Sequence, residues 1–280
     1  MFKNWIVLSG ISAICLSAMF LVFQRLQSRL SSDVYLSYTW IGSGLILLTI
    51  SLGVNPTYFV KALWAVPIAA IGSWLGMTSY SRAMMRQPNI GLIEALSSIR
   101  TPIIALVSLL SLGGSLSGKY CAAMMVALIG YVCTAYSSRY RVERNYQWMM
   151  WSVLSAIMFA VLVLATKYML RSGMDYLSVT ALVLLSAGVL FAAHSILTQQ
   201  AFSLGGESGM IFLAIALSSA GNLALFISYQ LSPNPAYANV ISGARIPILF
   251  LAALLRRQTK AQTANIVGII LVTVGILMFG

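Results

Sequence analysis

The residues best suited to chemistry in this chain are two arginines that occupy the same place in a repeated stretch. Residues 88–103 read PNIGLIEALSSIRTPI and residues 233–248 read PNPAYANVISGARIPI. At a constant offset of 145 the copies share Pro88/Pro233, Asn89/Asn234, Ser97/Ser242, Arg100/Arg245, Pro102/Pro247 and Ile103/Ile248. Each copy opens a long apolar segment, so its arginine falls about 18 Å along a helix, near the middle of a bilayer about 30 Å thick. A cation at that depth requires a partner or a ligand. Two readings of Arg100 and Arg245 follow. They contact a substrate, or they pair structurally with a carboxylate or with carbonyls left free by the nearby prolines. Pro102 cannot donate to the Ser98 carbonyl, nor Pro247 to that of Gly243, which also makes Pro102 and Pro247 candidate hinges.

Glu94 is the one carboxylate well inside an apolar segment. It is a candidate proton carrier, against the alternative of a permanent ion pair. Six residues before Arg100, it lies off that residue's helix face, so Arg245 in the other half is its better partner. The position matching Glu94 is Asn239, so at most one arginine gains a carboxylate this way. The surplus positive charge predicts a central cavity for an anionic or zwitterionic group. Asn222, Asn239, Tyr80 and Trp74 are further candidates to line it, with Tyr38, Trp40, Tyr229 and Tyr237 behind them. For the aromatic residues, packing or an interfacial belt is the competing reading.

Other polar residues have plainer readings. Lys167 and Arg171 are expected to snorkel to lipid headgroups. His194 reads as a hydrogen-bonded packing or interfacial residue. Asp33, Asp175 and Glu207 precede apolar segments, as helix N-caps do. Gly72 and Gly76 form a GxxxG step for close helix packing. Cys15, Cys121 and Cys133 have no paired or metal-like spacing and read as buried thiols. No catalytic constellation, no metal-ligand cluster and no Walker lysine motif is present, so neither a cofactor nor ATP drive is implied.

The elements that must position these residues are membrane helices. Sixty per cent of the residues are hydrophobic and 8% are charged, a balance foreign to soluble domains. The segments lack the alternation of barrel strands. The net charge of +12 resides mostly in short loops, where it signals topology and not nucleic-acid binding. The first segment, lacking a small-residue cleavage site, is kept as a helix and not as a signal peptide. The pattern predicts an all-α integral membrane protein of ten transmembrane helices, at about 5–25, 34–53, 61–83, 88–111, 118–137, 148–170, 177–198, 208–231, 234–256 and 261–279. The hydrophilic stretch 137–147 divides them into repeats at 1–140 and 141–280. Gly76/Gly221 and Gly130/Gly275 keep the offset of 145. Five being odd, the repeats insert in opposite orientations, an arrangement recurrent in secondary transporters with a midplane site.

This organisation resembles the drug/metabolite transporter superfamily, EamA type. The resemblance rests on ten helices in two halves, on Pro102 and Pro247 in the fourth and ninth helices, and on the Gly-containing segments ALIGYVC (127–133) and NIVGIILVTVGILMF (265–279). It departs at Arg100 and Arg245, where the family has apolar or small residues, and in lacking an acidic residue after the fourth and ninth helices. The resemblance implies a multi-pass permease of the cell's inner membrane, exporting a small metabolite by alternating access. The partners implied are a small-molecule substrate, the lipid bilayer and either a proton or a counter-substrate, in a monomer or homodimer. The arginines point to an amino acid, carboxylate or phosphorylated metabolite. A multidrug or cation exporter and a membrane-embedded lipid-handling protein are the alternatives. Orientation is in conflict. Arg25, Arg29, Arg82, Arg86, Arg139, Arg141, Arg144, Arg256, Arg257 and Lys260 face Lys3, Lys61, Lys119, Lys167 and Arg171. That count places the termini outside, whereas the resemblance places them inside.

Overall fold

A computed structural model describes residues 4–26, 29–54, 62–86, 90–135, 146–202, 206–255 and 262–280. The charged stretch 137–147 falls almost wholly outside these residues, as do Pro88, Asn89 and the basic residues at 256, 257 and 260. The described residues form helices joined by turns, with no strand among them. In chain order the helices are α1 (Asn4–Leu26), α2 (Ser32–Gly53), α3 (Ala65–Met84), α4 (Ile90–Ser97), α5 (Arg100–Ser111), α6 (Gly118–Ala135), α7 (Gln147–Arg171), α8 (Tyr176–Leu197), α9 (Ser208–Leu231), α10 (Pro235–Ser242), α11 (Arg245–Leu255) and α12 (Thr263–Leu277). Among the described residues, seven stretches are long and apolar enough to cross a membrane: α1, α2, α7, α8, α9 and the runs Ile93–Ser111 and Pro235–Ala252. Polarity is distributed as lipid demands. Leu110, Leu197 and Phe212 are exposed, while Ser43, Ser152, Ser178 and Ser218 are fully buried between helices.

Local chemistry sets the helix ends. Asp175 caps α8 by accepting from the Leu177 and Ser178 amides at 3.2 and 2.9 Å. Asn234 caps α10, whose first residue is Pro235, where a missing N–H does no harm. The α7 C-terminus closes in a Schellman turn on Gly173 (φ +90°), with Gly173 N–H donating to Leu170 and Met174 N–H to Met169. Two expected caps are corrected. Ser31 caps α2, because Asp33 lies one residue inside the helix, where its carboxylate turns to His194. Glu207 stands at the start of α9 but makes no capping bond, its carboxylate being engaged by Arg29.

The helices pair most extensively as α2 with α8, α3 with α7, α6 with α12 and α1 with α9. Glycines let the backbones approach. A Cβ on Gly44 would lie 2.7 Å from the Leu185 amide nitrogen, and one on Gly188 the same distance from that of Ile41. At Gly72 it would stand 2.9 Å from the Met158 carbonyl oxygen, so the GxxxG step packs α3 onto α7. Gly130 and Gly275 both lie in the α6–α12 contact. The cysteines are unpaired, as expected, but half-buried and not buried.

The segments 88–111 and 234–256, expected as continuous helices, are each interrupted, between α4 and α5 and between α10 and α11. Ser98–Ile99 and Gly243–Ala244 form tight turns with the same hydrogen bonds in both copies. Ile99 N–H donates to Leu96 and Ala244 N–H to Ile241. Thr101 N–H donates to Ser98 and Ile246 N–H to Gly243. These are i→i−3 bonds, one residue tighter than an α-helix. The prolines explain them. Because Pro102 and Pro247 cannot donate to the Ser98 and Gly243 carbonyls, the preceding amides do so. Those carbonyls are therefore not free to hold the arginines. Each break directly precedes Pro102 or Pro247, which sits in the first turn of the following helix, where a missing N–H is tolerated.

Candidate functional site

Both breaks are followed immediately by the arginines, which come together between the halves. The Arg245 Nη2 donates to Glu94 Oε2 at 3.0 Å, and the Arg100 Nη2 lies 3.8 Å from the same oxygen. The partnership with Arg245 is the one expected from the sequence. The limit of one arginine per carboxylate is corrected. The tight turn at Ser98–Ile99 alters the rotation between α4 and α5, so a spacing of six residues brings Arg100 within reach. Asn239 joins them from α10. Its Oδ1 accepts from Arg100 Nε at 3.4 Å, and its Nδ2 donates to Thr101 Oγ1 at 2.8 Å. Arg100 lies over the Phe159 ring at 5.5 Å and Arg245 over Phe20 at 5.9 Å, so α7 and α1 each wall one cation with an aromatic face.

Most of the cluster is buried, and Arg245 nearly so. Glu94 is 1% exposed, Arg100 5% and Asn239 7%. Tyr80, also buried, borders Glu94 from α3. Two guanidinium donors beside this carboxylate have no acceptor: Arg100 Nη1 and Arg245 Nε. Tyr131, which the sequence did not single out, donates its hydroxyl to the Val240 carbonyl at the end of α10. Gly243 makes room for it, since a Cβ there would stand 2.5 Å from that oxygen. In the first copy Ser98 Oγ donates instead to the Glu94 carbonyl oxygen, at 2.9 Å.

No protein-family model matches the chain, and no curated protein matches it. The chain is similar to a protein of known crystal structure, with a TM-score of 0.81 and 15% sequence identity, over 98% of this chain and 97% of the other. That likeness establishes a fold shared along the whole length. The chemistry of the cluster has to be argued from its own residues.

Two expected lining residues have contacts of their own. Asn222 donates to the Ser218 carbonyl and hydroxyl at 2.9 and 3.2 Å, satisfied within its own helix. Trp74 packs edge-on to His194 with ring centroids 5.9 Å apart, and His194 Nδ1 meets Asp33 Oδ2 at 2.8 Å. Tyr237 is likewise engaged elsewhere, accepting from the Ser117 amide and donating to the Ser115 carbonyl.

Lys167 is the main correction among the basic residues. It does not snorkel but is 7% exposed, and its ammonium donates to the Tyr229 and Ser232 carbonyls, the latter at 3.1 Å. Those carbonyls belong to the last turn of α9 and the residue after it, where intrahelical donors run out and the helix dipole is negative. A lysine on a neighbouring helix thus completes the end of α9.

Proposed function

We propose that this chain is a secondary transporter, moving a small organic molecule with an acidic group by alternating access, and that it belongs with the EamA-type drug/metabolite transporters. One observation carries this reading: two arginines sharing one buried carboxylate at matching breaks in two long helices. Discontinuous helices of this kind form midplane sites in transporters built from inverted repeats, with half-helix N-termini directed at anionic groups. Here α5 and α11 begin at the arginines themselves.

The helix pairing supports inverted repeats at 1–140 and 141–280. Shifting by 145 residues turns α1 against α9 into α7 against α3, and turns α2–α8 and α6–α12 each into itself. Taking α4–α5 and α10–α11 each as one interrupted span gives five spans per half and ten in all. In this reading Arg100 and Arg245 hold the acidic group of the substrate, while Asn239 and Tyr80 fix its orientation. Glu94 carries the coupling proton, and the two tight turns serve as hinges. A cation exporter would need a site of the opposite sign, and a lipid-handling enzyme would need catalytic groups beside the arginines. Arg25, Arg29, Arg82 and Arg86 lie at one end of the bundle, which we assign to the cytoplasm of a cell's inner membrane, with export as the direction.

The test is transport by purified protein in proteoliposomes, against amino acids, monocarboxylates, sugar phosphates and cationic drugs. Arg100→Gln and Arg245→Gln should each abolish movement of the acidic compounds while the protein stays folded. Full transport in either variant, or transport of cations alone, refutes the assignment.

A further inference from the structure

The central cluster does not balance its own charge. Guanidinium groups remain protonated in proteins, so Arg100 and Arg245 bring two positive charges against the one carboxylate of Glu94. The chain has five acidic residues. Asp33 is held by His194, Asp175 caps α8, Glu207 is engaged by Arg29, and Glu143 lies outside the described residues. Asn239 occupies the place that would supply a second carboxylate by the repeat. It answers the cluster with an amide, whose oxygen takes one donor and whose nitrogen is used by Thr101. Arg100 Nη1 and Arg245 Nε are left as buried donors with nothing to accept from them. An unpaired donor of this kind is among the most unfavourable groups a protein interior can hold.

We infer that, when no transported molecule is bound, the cluster holds a compact monovalent anion of the chloride type, which the acidic group of the substrate must displace. The charge deficit is a single unit, so a monovalent ion brings the buried cluster to neutrality, whereas a divalent one would leave it negative. A halide accepts hydrogen bonds from several directions, as donors spread over two guanidinium groups require. The Phe20 and Phe159 rings close over the cations and favour a small ion over a large one. The inference rests on the transport-site reading and adds its counter-ligand: the protein exchanges one anion for another.

The experiment is thermal unfolding of detergent-purified protein in gluconate buffer at constant ionic strength, titrated with chloride, bromide or sulfate. Propionate serves as a compact organic anion. Chloride and bromide should raise the melting temperature saturably, by mass action on the folded form. Chloride at a concentration equal to its own Kd should weaken propionate binding about two-fold. Arg100→Gln and Arg245→Gln should lose the halide response. Asn239→Glu provides the second carboxylate within the fold, and should give a stable protein indifferent to halide. If propionate stabilises the protein in an arginine-dependent way and halides do not, the resident-anion inference fails and the transport reading survives. Halide effects that persist in Asn239→Glu and in both arginine variants overturn the inference as a general salt effect. If no anion binds and transport is independent of both arginines, the two fall together.

Discussion

Replacing Glu94 by Gln should damage the protein more than removing either arginine it holds. At an effective dielectric of about 20, charges separated by 3.0 and 3.8 Å attract by about 5 and 4 kcal/mol before desolvation is counted. Glu94→Gln removes both attractions and leaves two guanidinium groups repelling each other in the protein interior. Breaking a buried pair in this way costs about 3–5 kcal/mol. Arg245→Gln instead leaves Arg100 and Glu94 as a neutral pair, and its cost should be less than half as large. The double variant returns to a single uncompensated charge, as in the native cluster, so the two substitutions should couple by about 2–3 kcal/mol. Melting followed by tryptophan fluorescence, at fixed chloride, reads these differences at roughly 2–4 °C per kcal/mol. Glu94→Gln should therefore lower the melting temperature by about 10 °C, with much of the loss recovered in the double variant. Additivity of the two single changes, or an Arg245→Gln variant as unstable as Glu94→Gln, refutes the shared-carboxylate account.

Two further predictions concern helix ends. Lys167→Met keeps the aliphatic stem but removes the ammonium from the Tyr229 and Ser232 carbonyls, which should cost about 1–3 kcal/mol and several degrees of melting temperature. A variant melting with the native protein would mean that Lys167 does not complete α9. Gln199 ends α8 in a left-handed conformation (φ +54°) that L-residues adopt at a cost, so Gln199→Gly should stabilise the protein by about 1 kcal/mol while Gln199→Ala should not. Equal effects of the two changes would count against backbone strain there.

The parts of the structure legible in the sequence are those that depend on one segment at a time. Apolar runs located the helices, Asp175 announced its cap, and the repeated PN–S–R–PI pattern marked the two arginines. The partnership of Glu94 with Arg245 was also readable, because helical spacing removed the obvious competitor and the repeat supplied another. What was not readable depends on neighbours. Helical periodicity assumes an unbroken helix, so it excluded Arg100 from Glu94 until a tight turn changed the register. Lys167 looks like any lysine near a helix end until the last turn of α9 is placed against it. Trp74 and Asn222 have the right chemistry for a cavity. One is taken up by His194, and the other by the serine one turn earlier in its own helix.

The repeat is most informative where it fails. A strictly duplicated cluster would hold either two carboxylates or two amides beside its arginines. Two carboxylates would neutralise the guanidinium groups and leave nothing for an acidic ligand to do. Two amides would leave a double positive charge in the interior of a bundle whose other buried polar groups are mostly serines and threonines bonded to their own helices. Glu94 paired with Asn239 lies between these cases. It holds the arginines in place at close range and preserves a single unit of positive charge with unspent donors around it. The backbone hydrogen bonds at the two turns are the same in both copies, so the asymmetry is confined to side chains. The backbones match at the two turns, while the unmatched side chains leave the cluster with one unit of positive charge. On the proposed transport reading the ligand is therefore to be sought among monovalent anions, with Asn239, the least conspicuous member of the cluster, setting that charge.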